Sequence, residues 1–150
     1  MTERPVRHVT ALGPQAAAPS DRPARQRITD PKVAAQVRQF AIDAARLATD
    51  LHCENALVLD VRGLSDITDY ILIASGTSDR QIMSVAEDIE QLAEGAGIGR
   101  LGHELESPST WVVLDFVDVV AHLFEPTARA HYDLEMLWGD AEKVPWQRDD

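Results

Sequence analysis

The sequence predicts an α/β domain, with α+β as the neighbouring class: a mixed sheet of about five strands with helices packed on it. Two stretches, residues 33–51 and 82–93, repeat their apolar residues at the spacing of one helix face. Short aliphatic runs separate and follow them at 56–61, 70–74 and 111–124. No internal repeat interrupts this order of helix, two strands, helix, strands and short helix.

The first helix opens at Asp30-Pro31, with Asp30 as N-cap and Pro31 at the first helical position, where its missing N–H costs nothing. Val33, Val37, Phe40, Ala41, Ala44, Ala48 and Leu51 form its apolar stripe. Asn55 leads into the strand Ala56-Leu57-Val58-Leu59-Asp60-Val61, and a polar loop from Arg62 to Asp66 returns into Tyr70-Ile71-Leu72-Ile73-Ala74. So short a connection leaves no room for a helical crossover, so these strands pair antiparallel. Gly76-Thr77-Ser78 follows, and Ser78-Asp79-Arg80-Gln81 has the capping-box form that starts a second helix. Ile82, Val85, Ala86, Ile89, Leu92 and Ala93 mark its buried face; Gly95 and Gly97 end it by supplying left-handed backbone. After a loop containing Pro108, residues 111–124 make two more strands. Glu125-Pro126 then opens a short helix to about Tyr132, and Leu134 to Trp138 continue as apolar structure.

A chain of 150 residues suits one domain with an appendage. Residues 1–29, rich in proline, arginine and alanine, read as a disordered tail, residues 30–140 as the domain, and residues 141–150 as an acidic C-terminal tail. The N-terminal segment has too little apolar periodicity to offset the entropy of ordering it. Its arginines also suit an organellar transit peptide, but Pro5, Pro14, Pro19 and Pro23 disfavour the amphipathic helix such a peptide needs. No apolar run approaches the roughly 20 residues that span a bilayer, so no membrane partner is expected. The single cysteine, Cys53, has no intramolecular disulfide partner; it reads as a small residue at a helix-to-strand junction and suits a cytoplasmic location.

The net charge is −11. Residues 1–29 hold five arginines against Glu3 and Asp21, and subtracting that +3 leaves −14 for residues 30–150. A body so acidic repels a phosphate backbone and attracts a basic protein, so little direct RNA binding is expected. Charge alone is equally consistent with a merely soluble surface.

The segment Trp111 to Phe124 carries the candidate site. With Phe116-Val117 as a two-residue turn, Asp115 pairs with Asp118, Val113 with Val120 and Trp111 with His122. Val112, Leu114, Val119, Ala121 and Leu123 then face the core. Trp111, Asp115, Asp118, His122 and Phe124 share the other face, where aromatics beside polar groups suggest a recognition surface. On that reading Trp111→Ala spares the fold and damages docking. The plainer reading gives the two aspartates to turn N–H groups, and a longer turn moves Asp118 out of line.

Catalysis is the competing function. Gly76-Thr77-Ser78 ahead of a helix could hold a triphosphate, making the chain a nucleotidyltransferase-like enzyme on a nucleotide substrate. Two-metal phosphoryl transfer needs converging carboxylates, which Asp-x-Asp on a strand supplies. No such triplet occurs; Asp66/Asp69 and Asp115/Asp118 are spaced by three. His52, Cys53, His103, His122 and His131 lack metal-ligand spacing. No catalytic residue, metal or cofactor is therefore assigned.

Four segments stand in series over about residues 33–140: Ser65-Asp66-Ile67-Thr68-Asp69-Tyr70; Gly76-Thr77-Ser78-x-Arg80; Trp111-Val112-x-Leu114-Asp115-x-x-Asp118-Val119-Val120-x-His122; and Arg129-x-x-Tyr132-x-Leu134-Glu135-x-Leu137-Trp138. Together they resemble the pattern of the ribosomal silencing factor (Iojap) family. The resemblance implies a nucleotidyltransferase-like fold without transferase activity. It implies binding to the large ribosomal subunit through its basic protein fourteen, on the intersubunit face. There the factor blocks association with the small subunit and represses translation when nutrients are short. By position, the implied partner-binding residues are Trp111, Asp115, Asp118, His122, Tyr132 and Trp138. Whether the chain forms a homodimer stays open. Three positions depart from the family pattern: Val117 replaces a turn glycine, Gln81 a histidine, and Glu104-Leu105 a Glu-Gly pair.

Overall fold

Asp30 and Pro31 start helix α1 (Pro31–Asp50) as their chemistry requires, the Asp30 carboxylate accepting the Lys32 N–H at 2.9 Å. The computed structural model describes residues 28–99, 102–103 and 111–148, except the side chains of residues 102, 103 and 132. Most of the expected N-terminal tail and the Glu104-Leu105 position lie outside these residues. Helix α1 closes with His52 in left-handed backbone, φ 77°, and the Cys53 N–H returning to the Ala48 carbonyl at 2.9 Å. The same closure ends helix α2 (Asp79–Gly95), where Gly97 takes φ 75° and the Ile98 N–H reaches the Ala93 carbonyl. Gly97 alone is left-handed there; Gly95 stays in the helix.

Six strands form one mixed sheet: β1 (Glu54–Asp60), β2 (Tyr70–Ser75), β3 (Gly102–His103), β4 (Trp111–Asp115), β5 (Val119–Phe124) and β6 (Glu142–Lys143). Their order is β3-β4-β5-β2-β1-β6, antiparallel throughout except for the central β2–β5 pair. The expected β1–β2 antiparallel pairing is present, with a bulge between Glu54 and Leu57 where Asn55 takes φ 55°. Both faces of the sheet are apolar and both are covered. Helices α1 and α2 pack on Val58, Tyr70, Leu72, Ala74, Val112, Leu114, Ala121 and Leu123. The opposite face, with Leu59, Ile71, Ile73, Trp111, Val113, Val120 and Phe124, is covered by Leu134, Ala128 and Trp138. Leu134 lies in helix α4 (Leu134–Leu137), and Ala128 in helix α3 (Pro126–Tyr132).

The β4–β5 hairpin departs from the expected register. Trp111 pairs with Phe124, Val113 with His122 and Asp115 with Val120, around a three-residue turn, Phe116 to Asp118. The slip is two residues, an even number, so each face keeps its members and only Asp118 leaves the ladder. Asp115 accepts the Val117 N–H on its own carboxylate at 2.9 Å, and the Asp118 carbonyl accepts the Asp69 and Tyr70 N–H groups. Between them the Asp118 N–H donates to the Phe116 carbonyl at 2.8 Å, closing a γ-turn on Val117 at φ 73°. A β-branched residue is strained there, so Val117→Gly is expected to stabilise the fold by about 1 kcal/mol in urea unfolding. No gain would mean that the turn relaxes around valine without cost.

The expected acidic tail at 141–150 needs correction. β6 pairs with β1, Val144 is buried, and the Trp146 indole donates to the Ala56 carbonyl at 3.2 Å. Arg46 donates to the Trp146 carbonyl and Arg148 forms a two-bonded ion pair with Asp50. Through Arg148 the segment therefore belongs to the domain, closing the outer edge of β1. Its apolar residues, Val144 and Trp146, are spaced by two, a strand period too short to register beside the charges around it. Cys53 lies buried at the helix-to-strand junction, where burial pushes its thiol up to about 11.

Candidate functional site

The structure divides the six candidate residues by depth. Trp111 is 1% exposed, and Asp115 and His122 are also buried. The Trp111 indole N–H donates to His122 Nδ1 at 3.0 Å, and its ring stacks on Phe124 at 4.9 Å between centroids. Trp138 and Asp118 are half-buried, and the side chain of Tyr132 lies outside what is described. The expectation of an open docking face on the hairpin is thus corrected. Val113 and Val120 share that face with Trp111 and Phe124, and so much apolar area is covered by α3 and α4 as a second core.

The surface of this second layer is more telling than its interior. A four-residue helix cannot turn three large apolar side chains inward. Leu134 takes the buried position, leaving Met136 76% and Leu137 51% exposed. From Asp133 to Glu142 the chain carries four carboxylates and no lysine or arginine. On the β1–β2 loop Leu64 is 50% exposed, and it lines a shallow cleft with Asp140, Glu142 and Asp60. Arg62 in that cleft is neutralised by a two-bonded ion pair with Asp60, holding the Asp60 carboxyl below its ordinary range. Sequence reasoning missed Leu64, Met136 and Leu137 as surface residues. The signal available was the short helix, since Leu134, Met136 and Leu137 are spread over too wide an arc to share one buried face.

At the Gly-Thr-Ser junction the capping residues occupy the helix start. Ser78 accepts the Gln81 N–H, and the Gln81 side chain accepts from the Thr77 N–H and hydroxyl while donating to the Leu51 carbonyl. Gln81 thus ties the start of α2 to the end of α1. A Cβ at Gly76 would collide with Ile82, which accounts for glycine there without a ligand. Among the described residues, no three of His, Cys, Asp and Glu are grouped as metal ligands, and no helix is long and apolar enough to cross a membrane.

The described residues form an α+β domain with a mixed sheet that exposes an apolar helix turn amid carboxylates. The pattern of the family described as "Ribosomal silencing factor during starvation" matches residues 34–150. The ribosomal silencing factor RsfS of Bacillus subtilis is 41% identical over 98 residues, 65% of this chain and 83% of that one. The RsfS of Halalkalibacterium halodurans is 36% identical over 109 residues, covering 73% and 91%. A crystal structure of a Chromobacterium violaceum protein superposes with a TM-score of 0.63 at 29% identity, covering 77% of this chain and 92% of that one. The chain belongs to the ribosomal silencing factor family, and it is also similar to the chloroplast Iojap protein of Arabidopsis thaliana, 35% identical over 70% of this chain and 44% of that one.

Proposed function

We propose that this chain binds the large ribosomal subunit through its basic protein fourteen, blocks association with the small subunit and so represses translation in the cytoplasm. The observation that carries the reading is the pairing of exposed Met136 and Leu137 with the carboxylates from Asp133 to Glu142. Apolar anchors supply affinity by leaving water, while acidic neighbours select and orient a basic protein. In this reading Met136, Leu137, Trp138 and Asp118 meet the partner. Trp111, Asp115 and His122 support the contact from beneath, and Tyr132 is assigned to it through the family pattern.

The chain acts here as a binding protein without chemistry of its own. The occupied amides at the start of α2 favour this over the nucleotidyltransferase alternative, because a triphosphate would have to displace both Ser78 and Gln81.

Co-sedimentation with purified large subunits tests the reading, alongside titration of isolated protein fourteen. Binding is expected in both, weakening as added salt shortens the screening length from about 10 Å at 0.1 M to about 3 Å at 1 M. Retention by naked ribosomal RNA alone would contradict it.

A further inference from the structure

Arg129 sits where α3, α4 and two strands meet, and its guanidinium serves all of them. Only 11% of its side chain is exposed. One Nη1 hydrogen-bonds the Ser75 hydroxyl at the end of β2 at 2.9 Å and the Asn55 carbonyl in the β1 bulge at 2.8 Å. Nε and Nη2 both bond a single Glu135 oxygen on α4, at 3.2 and 3.0 Å. A cation so buried is tolerated only when its donors are matched, and here they are matched by groups from three separate elements.

The linkage has a particular direction. Asn55 turns its carbonyl outward through its left-handed φ of 55°, and Asp133, at φ 50°, breaks α3 from α4. Two short helices joined by a left-handed residue have few backbone bonds fixing their mutual angle. Among the described residues, the Arg129–Glu135 pair joins the side chains packed on the second core in tying α4 to the sheet. Met136 and Leu137 follow Glu135 directly, so the tie fixes where those exposed side chains point.

We propose that Arg129 is a positioning residue of the docking surface: it holds α4 against the β1 bulge and the end of β2, presenting Met136 and Leu137 pre-ordered to the partner. The proposal rests on the docking role argued above. Pre-ordering lowers the entropy cost of binding without adding a contact. Lysine cannot replace it, because one ammonium lacks the planar fork that reaches Ser75, Asn55 and Glu135 together.

The test uses the full chain carrying Arg129→Ala, Arg129→Lys or Glu135→Ala, with two readouts. Hydrogen exchange should show amide protection falling about tenfold across residues 126–138, while β2 and β5 amides keep theirs. Affinity for large subunits should fall at least about tenfold for Arg129→Ala, with Arg129→Lys recovering only part. Should Arg129→Ala not fold, Glu135→Ala cuts only the α4 end, leaving Arg129 on Ser75 and Asn55, and the same two changes are expected. Equal loss of protection in β2 and β5 would make Arg129 a general fold residue and overturn the proposal. Wild-type affinity in Arg129→Ala, while Met136→Asp abolishes binding, would overturn it and leave the docking reading standing. If Met136→Asp binds as well as wild type, the docking reading falls and the proposal with it.

Discussion

Replacing Trp111 with alanine is expected to destabilise the fold by about 3–5 kcal/mol, the range for losing a buried large aromatic. Three losses coincide at this position. The indole leaves the second core, where it stacks on Phe124 at 4.9 Å. The hydrogen bond to His122 Nδ1 goes with it, removing a donor from a buried imidazole. A cavity remains between the sheet and α3–α4, because β4 and β5 are held by neighbours on both faces and cannot close it. A domain of this size has only about 5–15 kcal/mol in total, so the variant should melt far below wild type. Trp111→Phe keeps most of the ring and loses only the bond, at about 1–2 kcal/mol. Urea unfolding of the three proteins measures this; a loss under about 1 kcal/mol for alanine would show the side chain to be on the surface.

That expectation reverses the one drawn from sequence, and the reason is instructive. The alternation along 111–124 does identify the two hairpin faces, since a slip of two residues preserves them. What alternation cannot supply is the cover on the second face. That cover comes from Leu134, Ala128, Trp138 and Ala141, contributed by segments too short for a helical period to be seen. Asp30, Pro31, Ser78 and Gln81 were legible because a cap is local, its bonds spanning two or three residues. The C-terminal segment was not, because Trp146 finds Ala56 across 90 residues. Arg129 belonged to a recognised motif, yet nothing local announces that one guanidinium spans Asn55, Ser75 and Glu135.

Met136→Asp combined with Leu137→Asp is expected to weaken binding to large subunits at least a hundredfold, about 2.7 kcal/mol or more. At 76% and 51% exposure these side chains contribute little to the fold, so melting should change by less than about 1 kcal/mol. In the complex they leave water, and an aspartate there would be buried without the apolar contact it replaced. Attraction between the new carboxylates and a basic partner works against this loss, but a surface pair recovers only about 0–1 kcal/mol. Equilibrium titration of labelled protein against large subunits reads the change, and circular dichroism confirms the fold. Undiminished affinity would place the contact elsewhere on the domain.

Subunit joining followed by light scattering tests the central claim most directly. Large subunits are first saturated with the wild-type chain, and small subunits are then added. The account predicts that joining falls in proportion to the large subunits occupied, and that the Met136→Asp, Leu137→Asp chain at the same concentration leaves joining intact. Normal joining by large subunits that demonstrably carry the wild-type chain would contradict it.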